Sequence, residues 1–399
     1  MSLRPYRALL ARPSVPGLLL AAVVGRMPTG MAGSYGAAGL VAGVYAIAVA
    51  VASPVQGRLI DRIGQTRVLA ACGLGCAGAF AVMALLPAGA GTAALAGCAA
   101  VAGAANPPLA PCIRALWPTL AGEGSNLQTA YALESTVQEL VFIAGPLFVV
   151  GLVAVSSPAL AILGTGVLAL AGTAWFAASR ASRSWRGSPR AAGWAGPLRG
   201  RGIRVILAVI LLLSTAFGVV LIAVPAFAED LEVRAAAGWL FALYGLGSMA
   251  GGLLSGGRTW AGDPARRLAA FLGLVAAGIA AMAAAPGVAV MGAVTLAAGL
   301  PIAPAVACSY LLVDRLAPRG TVTEAFTWVS TAFMAGGALG NALGGLVVEH
   351  LGVRAGFLAA AAGAAAATLV ARGGYPSLAP TVPAGDPGRH RGGPGDHDR

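Results

Sequence analysis

Residues able to carry a charge or a proton are few in this 399-residue chain, and most stand at its connections. Three sit deep inside apolar runs: Arg26, Glu134 and Glu139. An ion near the centre of a bilayer costs at least about 2.5–3.5 kcal/mol, so it is kept for a partner or a task. A carboxylate there suits proton binding and release, because burial and a nearby arginine move its proton affinity in opposite directions. Glu134 and Glu139 are five residues apart, roughly 140° around a helix, so they face different ways. Tyr131, Glu134, Ser135 and Gln138 share one polar stripe at three- and four-residue spacing. That stripe is expected toward a central cavity or seam, with Glu139 pointing sideways to Arg26. Either a glutamate carries a proton, or Arg26 and Glu139 form a permanent structural pair.

A second cluster is "GRLIDRIGQTR", residues 57–67, three arginines and an aspartate between apolar runs. It is read as a short turn joining two helices. Gly57 and Gly64 permit a tight turn and close helix approach. Asp61 is an anion suited to a helix N-terminus or an arginine. Arg62 and Arg67 flank it. Arg114, in "PPLAPCIRALWP", can serve Asp61, Glu134 or a lipid phosphate. The alternative is an ordinary solvated turn.

What must position these residues follows from composition. The chain is 58% hydrophobic and 10% charged, with a mean hydropathy of +0.82. Soluble domains carry about 25% charged residues, so the chain is an integral membrane protein. A spanning helix needs about 20 mainly apolar residues. Twelve such stretches are expected, near 15–35, 37–55, 68–86, 92–113, 128–154, 158–178, 204–227, 236–256, 267–285, 288–312, 323–348 and 352–371. They are apolar all round, unlike the alternating strands of a barrel. At 1.5 Å per residue, Arg26 and Glu139 both lie about 16 Å deep and Glu134 about 9 Å deep.

All 26 basic residues are arginine. With the N-terminus inside, 23 arginines fall on inside segments and two, Arg234 and Arg354, on outside ones. This asymmetry predicts a multi-pass protein of the cell membrane with both termini cytoplasmic. The expected order is a cytoplasmic N-terminus (1–14), a six-helix bundle (15–178), a basic cytoplasmic linker (179–203), a second bundle (204–371) and a disordered tail (372–399).

The halves repeat. At an offset of 195, "AYALESTVQELVFIAGP" meets "AFTWVSTAFMAGGALGN" and Gly57 meets Gly252. "NPPLAP" and "GLPIAP" interrupt the fourth and tenth spans at equivalent places, a pointer to a binding site or hinge. Gly336, Gly340 and Gly344 supply a close-packing face. No nucleotide loop, H-E-x-x-H, G-x-S-x-G or Cys/His cluster occurs, so no enzyme, metal or cofactor is expected. The five cysteines read as packing residues. The dispersed arginines argue against nucleic acid.

With twelve spans, duplicated halves and Gly57, Leu59, Asp61, Arg62 and Gly64 in the loop between spans two and three, the sequence resembles the major facilitator superfamily. It departs at Gln65 and Thr66, where that family usually has basic residues; Arg67 follows. "IAGPLFVVG" half matches an antiporter motif of the family, with Gly145 and Pro146 present and Val149 in place of glycine. The resemblance implies an all-α fold of two pseudo-symmetric six-helix bundles with a site between them. It also implies that Asp61 latches the halves near Thr323 and Glu324. The matching loop of the second half lacks the aspartate, so the latch is expected to be asymmetric. The expected function is secondary transport by alternating access, proton-coupled export of a small organic compound, by a monomer whose partners are substrate, protons and the bilayer. The alternatives are an importer or facilitator of a sugar or organic acid, and a non-transporting receptor or assembly factor.

Overall fold

The computed structural model describes residues 4–12, 14–26, 36–87, 89–122, 124–187, 195–260 and 262–379. Among the described residues there is no strand. A short α1 (Arg4–Leu10) precedes α2 (Val15–Arg26), α3 (Gly36–Ile63), α4 (Gln65–Leu85), α5 (Thr92–Ala104), α6 (Leu109–Ala121), α7 (Ser125–Val155) and α8 (Pro158–Ala178). A connection follows, holding α9 (Arg180–Ser184) and a 3-10 turn at Gly196–Arg199. Then come α10 (Arg201–Asp230), α11 (Ala236–Gly256), α12 (Pro264–Met282), α13 (Val288–Gly299), α14 (Ile302–Leu316), α15 (Val322–Leu351), α16 (Val353–Gly373) and α17 (Tyr375–Leu378).

Each expected span finds a helix. Ten segments among the described residues are long and apolar enough to cross a membrane. The other two are α7, of 31 residues, and α2, whose expected continuation over 27–35 lies outside the described residues. The fourth span is α5 with α6 and the tenth is α13 with α14. Pro107, Pro108 and Pro301 lack the N–H a continuous helix needs, so the helices stop before them. The carbonyl freed at Ala104 accepts from Gln56 Nε2 at 2.7 Å. Other ends are set locally. Ser157 Oγ accepts from Leu160 N–H at 3.3 Å and Asp263 Oδ1 from Ala265 N–H at 3.0 Å, each just before a proline that opens the helix.

The turn expected over 57–67 is a single residue. α3 continues to Ile63, Gly64 turns the chain at φ 94°, and α4 starts at Gln65. Apolar spacing persists through the charged stretch, with Ile60 fully buried. The charges decorate the last turn of a helix and do not break it. Within the expected tail, α17 folds back and buries Leu378; residues 380–399 lie outside the described residues.

In the first half α4 packs on α8 and α5, and α3 on α5. In the second, α10 packs on α15 and α16, and α12 on α16 and α14. The α10–α15 contact is close because a Cβ on Gly218 would lie 2.9 Å from Gly340 Cα, and one on Gly336 2.9 Å from Ser214 Cβ. Between halves, α3 meets α15 and α7 meets α11 and α14. These two seams enclose the site.

Candidate functional site

A cavity of about 300 Å³ lies between the halves. Both helix breaks face it, through Asn106–Pro108 and Ile302. Tyr45 on α3 donates to Asn106 Oδ1 at 3.2 Å, which holds the first break open toward the cavity. Phe217 and Tyr244 stack at 5.8 Å and form an apolar wall. Ser214 Oγ, on the cavity-lining Ser214, is buried without a hydrogen-bond partner among the described residues.

α7 carries the acidic groups and divides them. Glu139 lines the cavity, and its Oε1 accepts from Ser248 Oγ of α11 at 3.0 Å. It therefore faces the cavity and the second half, where a sideways orientation toward Arg26 was expected. The reason is the place of α7 beside α11, which offers a hydroxyl at that depth. Arg26 closes α2, and its side chain lies outside the described residues, so the expected pair falls outside them too.

Glu134 turns the other way. It meets the Arg114 guanidinium of α6 at 3.5 Å, with side-chain exposures of 0% and 4%. Arg114 also donates to Gln138 Oε1 at 3.4 Å and lies 4.0 Å over the Tyr310 ring. Of the three partners open to Arg114 from sequence, the structure brings Glu134. Tyr131 donates to Arg114 O at 3.4 Å and packs against Tyr310 and Phe326 at 6.2 Å. The stripe thus splits: Ser135 and Gln138 line the cavity, while Tyr131 and Glu134 join an aromatic and ionic plug beneath it. Sequence reasoning missed Asp314 of α14, whose carboxylate is within hydrogen-bonding reach of the Tyr131 hydroxyl. Its run, "LLVDRL", reads as the end of a span, yet it carries an acid facing the other half.

At the end of the first seam, Asp61 is 6% exposed. Its Oδ1 accepts from Thr323 N–H at 3.2 Å and its Oδ2 from Glu324 N–H at 2.9 Å. These are free donors of the first turn of α15, so the carboxylate caps a helix of the opposite half. Gly57 makes room: a Cβ there would lie 2.5 Å from Thr327 Oγ1 and 2.9 Å from Glu324 Cα. Arg58, which sequence reasoning passed over, pairs with Glu324 Oε1 at 2.6 Å. Arg62 and Arg67 are exposed. Gln65 is fully buried and donates to Cys112 O at 3.2 Å. The connection between halves covers this end. A Cβ on Gly196 would lie 2.5 Å from Glu324 Oε1, and one on Gly187 would run into the Asp61 carbonyl.

Two helical halves, a mainly apolar cavity with a few polar groups between them, and contacts that close one end across the halves define a membrane transporter. The sequence profile of the Major Facilitator Superfamily matches residues 17–257 and again 206–392. The chain belongs to that superfamily, and its function class is transport, not catalysis. No curated protein matches the chain in sequence. Solved structures share the fold. The human organic anion transporter MFSD10 (TETRAN) is 16% identical, with a TM-score of 0.67 over 92% of this chain and 94% of that one. A bacterial homologue of the iron transporter ferroportin, in an outward-facing state, is 16% identical, with a TM-score of 0.68 over 90% and 98%. The transporter FucP, in the outward conformation, is 13% identical, with a TM-score of 0.64 over 90% and 98%.

Proposed function

We propose that this transporter works by alternating access at the cell membrane and exports a small organic compound in exchange for protons. One observation carries the reading: Glu139 of the first half is hydrogen-bonded by Ser248 of the second, inside the cavity, at 3.0 Å. A hydrogen bond to an ionised acceptor is roughly twice as strong as one to a neutral acceptor. Ionised Glu139 therefore holds the halves together more tightly than protonated Glu139. By linkage, a change in access changes proton affinity at the same residue. Ser214, which also lines the cavity, offers a hydroxyl to the substrate, and the Phe217–Tyr244 stack offers an apolar face. One chain holds the whole cavity, so a monomer suffices.

The arginine asymmetry supports a cytoplasmic closed end and cytoplasmic termini, an orientation in which the arrangement is the outward-facing one. Export is supported by Gly145 and Pro146 of α7, which match half of the antiporter motif. The test is flux into and out of proteoliposomes under an imposed pH gradient, with a panel of candidate organic compounds. Glu139→Gln is expected to abolish proton-driven flux while counterflow of substrate persists. Full proton-driven flux in that variant would remove Glu139 from the mechanism.

A further inference from the structure

The two seams are related by the repeat but are held by opposite chemistry. At the offset of 195, Gly57 falls on Gly252 and Asp61 on Gly256, while Glu324 corresponds to Thr129. Both glycines at the first pair of positions seat a helix of the other half: Gly57 takes Thr327 and Glu324 of α15, and Gly252 takes Thr136 of α7. The second pair differs, since an acid faces a glycine.

Helix ends explain why no acid serves at Gly256. α15 starts at Val322, so Thr323 and Glu324 lie in its first turn with unused N–H groups. α7 starts at Ser125, relatively two residues earlier, and the N–H of Gln128 is already bonded to Gly124 O at 3.3 Å. A carboxylate at position 256 would meet no comparable donors. What this place does offer is acceptors, the last carbonyls of α11.

Hydroxyls of the first half take them. The Tyr6 hydroxyl, on α1, shares its one proton between Gly252 O and Leu253 O, at 3.0 and 2.9 Å. Thr129 Oγ1 donates to Gly256 O at 2.8 Å. A Cβ on Gly256 would collide with the Tyr6 hydroxyl and lie 2.7 Å from Ala132 Cβ. The space where an aspartate side chain would stand is filled by the tip of Tyr6. α1 packs on α7 and α2, so Tyr6 moves with the first half. Burial pushes its phenol up to about 12, so it remains a donor at physiological pH. Thr129 has a second acceptor on its own helix, Ser125 O at 3.0 Å, to which its proton returns when the seam parts. Its net hold on the other half is correspondingly small.

We infer that Tyr6 is a gating residue: the N-terminal helix supplies the clamp on the α7–α11 seam that the missing repeat aspartate does not, and the seam opens by withdrawing Tyr6 from α11. The inference rests on the alternating-access reading. α3 and α11 are even-numbered spans ending on one membrane face, where α7 and α15 begin. Tyr6 and Asp61 therefore close the same end.

The test uses the full chain in lipid nanodiscs, with its five cysteines replaced by alanine and spin labels at Asn126 and Thr259, both exposed. The distance distribution reads closed against open seam. Loss of this one shared hydrogen bond predicts that Tyr6→Phe raises the open-to-closed ratio roughly 3- to 10-fold. Gly256→Ala is expected to do the same by displacing the phenol, and Thr129→Val to do less. A distribution unchanged by Tyr6→Phe, while Asp61→Asn shifts it, overturns the role of Tyr6 alone. Distributions unchanged in every variant, with no flux in proteoliposomes, overturn the alternating-access reading and the inference with it. A lowered melting temperature with an unshifted distribution makes Tyr6 merely structural and also overturns the inference.

Discussion

Replacing Asp61 by Asn tests the first seam without changing its shape. Each carboxylate oxygen accepts one backbone N–H of α15, at 3.2 and 2.9 Å, in a site only 6% exposed. Asn keeps one acceptor and turns an NH2 group toward the other N–H. One bond is lost, a buried donor is left unpaired, and the favourable meeting of an anion with a helix N-terminus disappears. Hydrogen bonds to charged groups contribute about 1.5–3 kcal/mol each, and the helix-terminus effect about 0.3–1 kcal/mol more. A net loss of about 2–3 kcal/mol from the closed state is a shift of roughly 30- to 150-fold toward the open one. A single cysteine at Thr327, buried against Gly57 in the closed seam, reads this directly, because a thiol reagent reaches it only when the seam parts. In a cysteine-free background its modification rate is expected to rise by that factor, with little change in the far-UV spectrum. A rate within twofold of the parent would refute the assignment of Asp61 as a cross-half helix cap.

Gly57→Ala attacks the same seam by volume. The new Cβ would lie 2.5 Å from Thr327 Oγ1 and 2.9 Å from Glu324 Cα, and overpacking of this kind costs about 1–3 kcal/mol. Alanine's better helix propensity acts in both states and does not bias the seam, so the Thr327→Cys rate is expected to rise roughly 5- to 150-fold. Arg114→Ala acts on stability. It removes the guanidinium from Glu134, whose side chain is 0% exposed, and breaking a buried pair costs about 3–5 kcal/mol. A clear loss of melting temperature in detergent is expected, with partial recovery when Glu134→Gln is added.

The spans were legible because a bilayer fixes helix length and excludes charge, so composition alone marks them. The breaks at Pro107–Pro108 and Pro301 were legible because proline has no N–H. Arg58 was missed because residues 57–67 read as a turn. On a helix, Arg58 and Asp61 are three residues apart and share a face toward α15. Asp314 was missed because an acid beside an arginine at a span end looks like a connection. The bond between Glu139 and Ser248 joins residues 109 apart in sequence, and no local pattern encodes it. Tyr6 left no signal at all: its meaning depends on a glycine in the other half and on α7 starting early.

The stretch joining the halves is polar and looks free to change. Its glycines say otherwise, since Gly187 presses on the Asp61 carbonyl and Gly196 on the Glu324 carboxylate. A side chain at either position must displace the Asp61 backbone or the Glu324 carboxylate beneath it, or lift the segment above. At these two positions the tether covers the Asp61–Glu324 contact. A label or fusion meant to be silent should be kept away from both glycines.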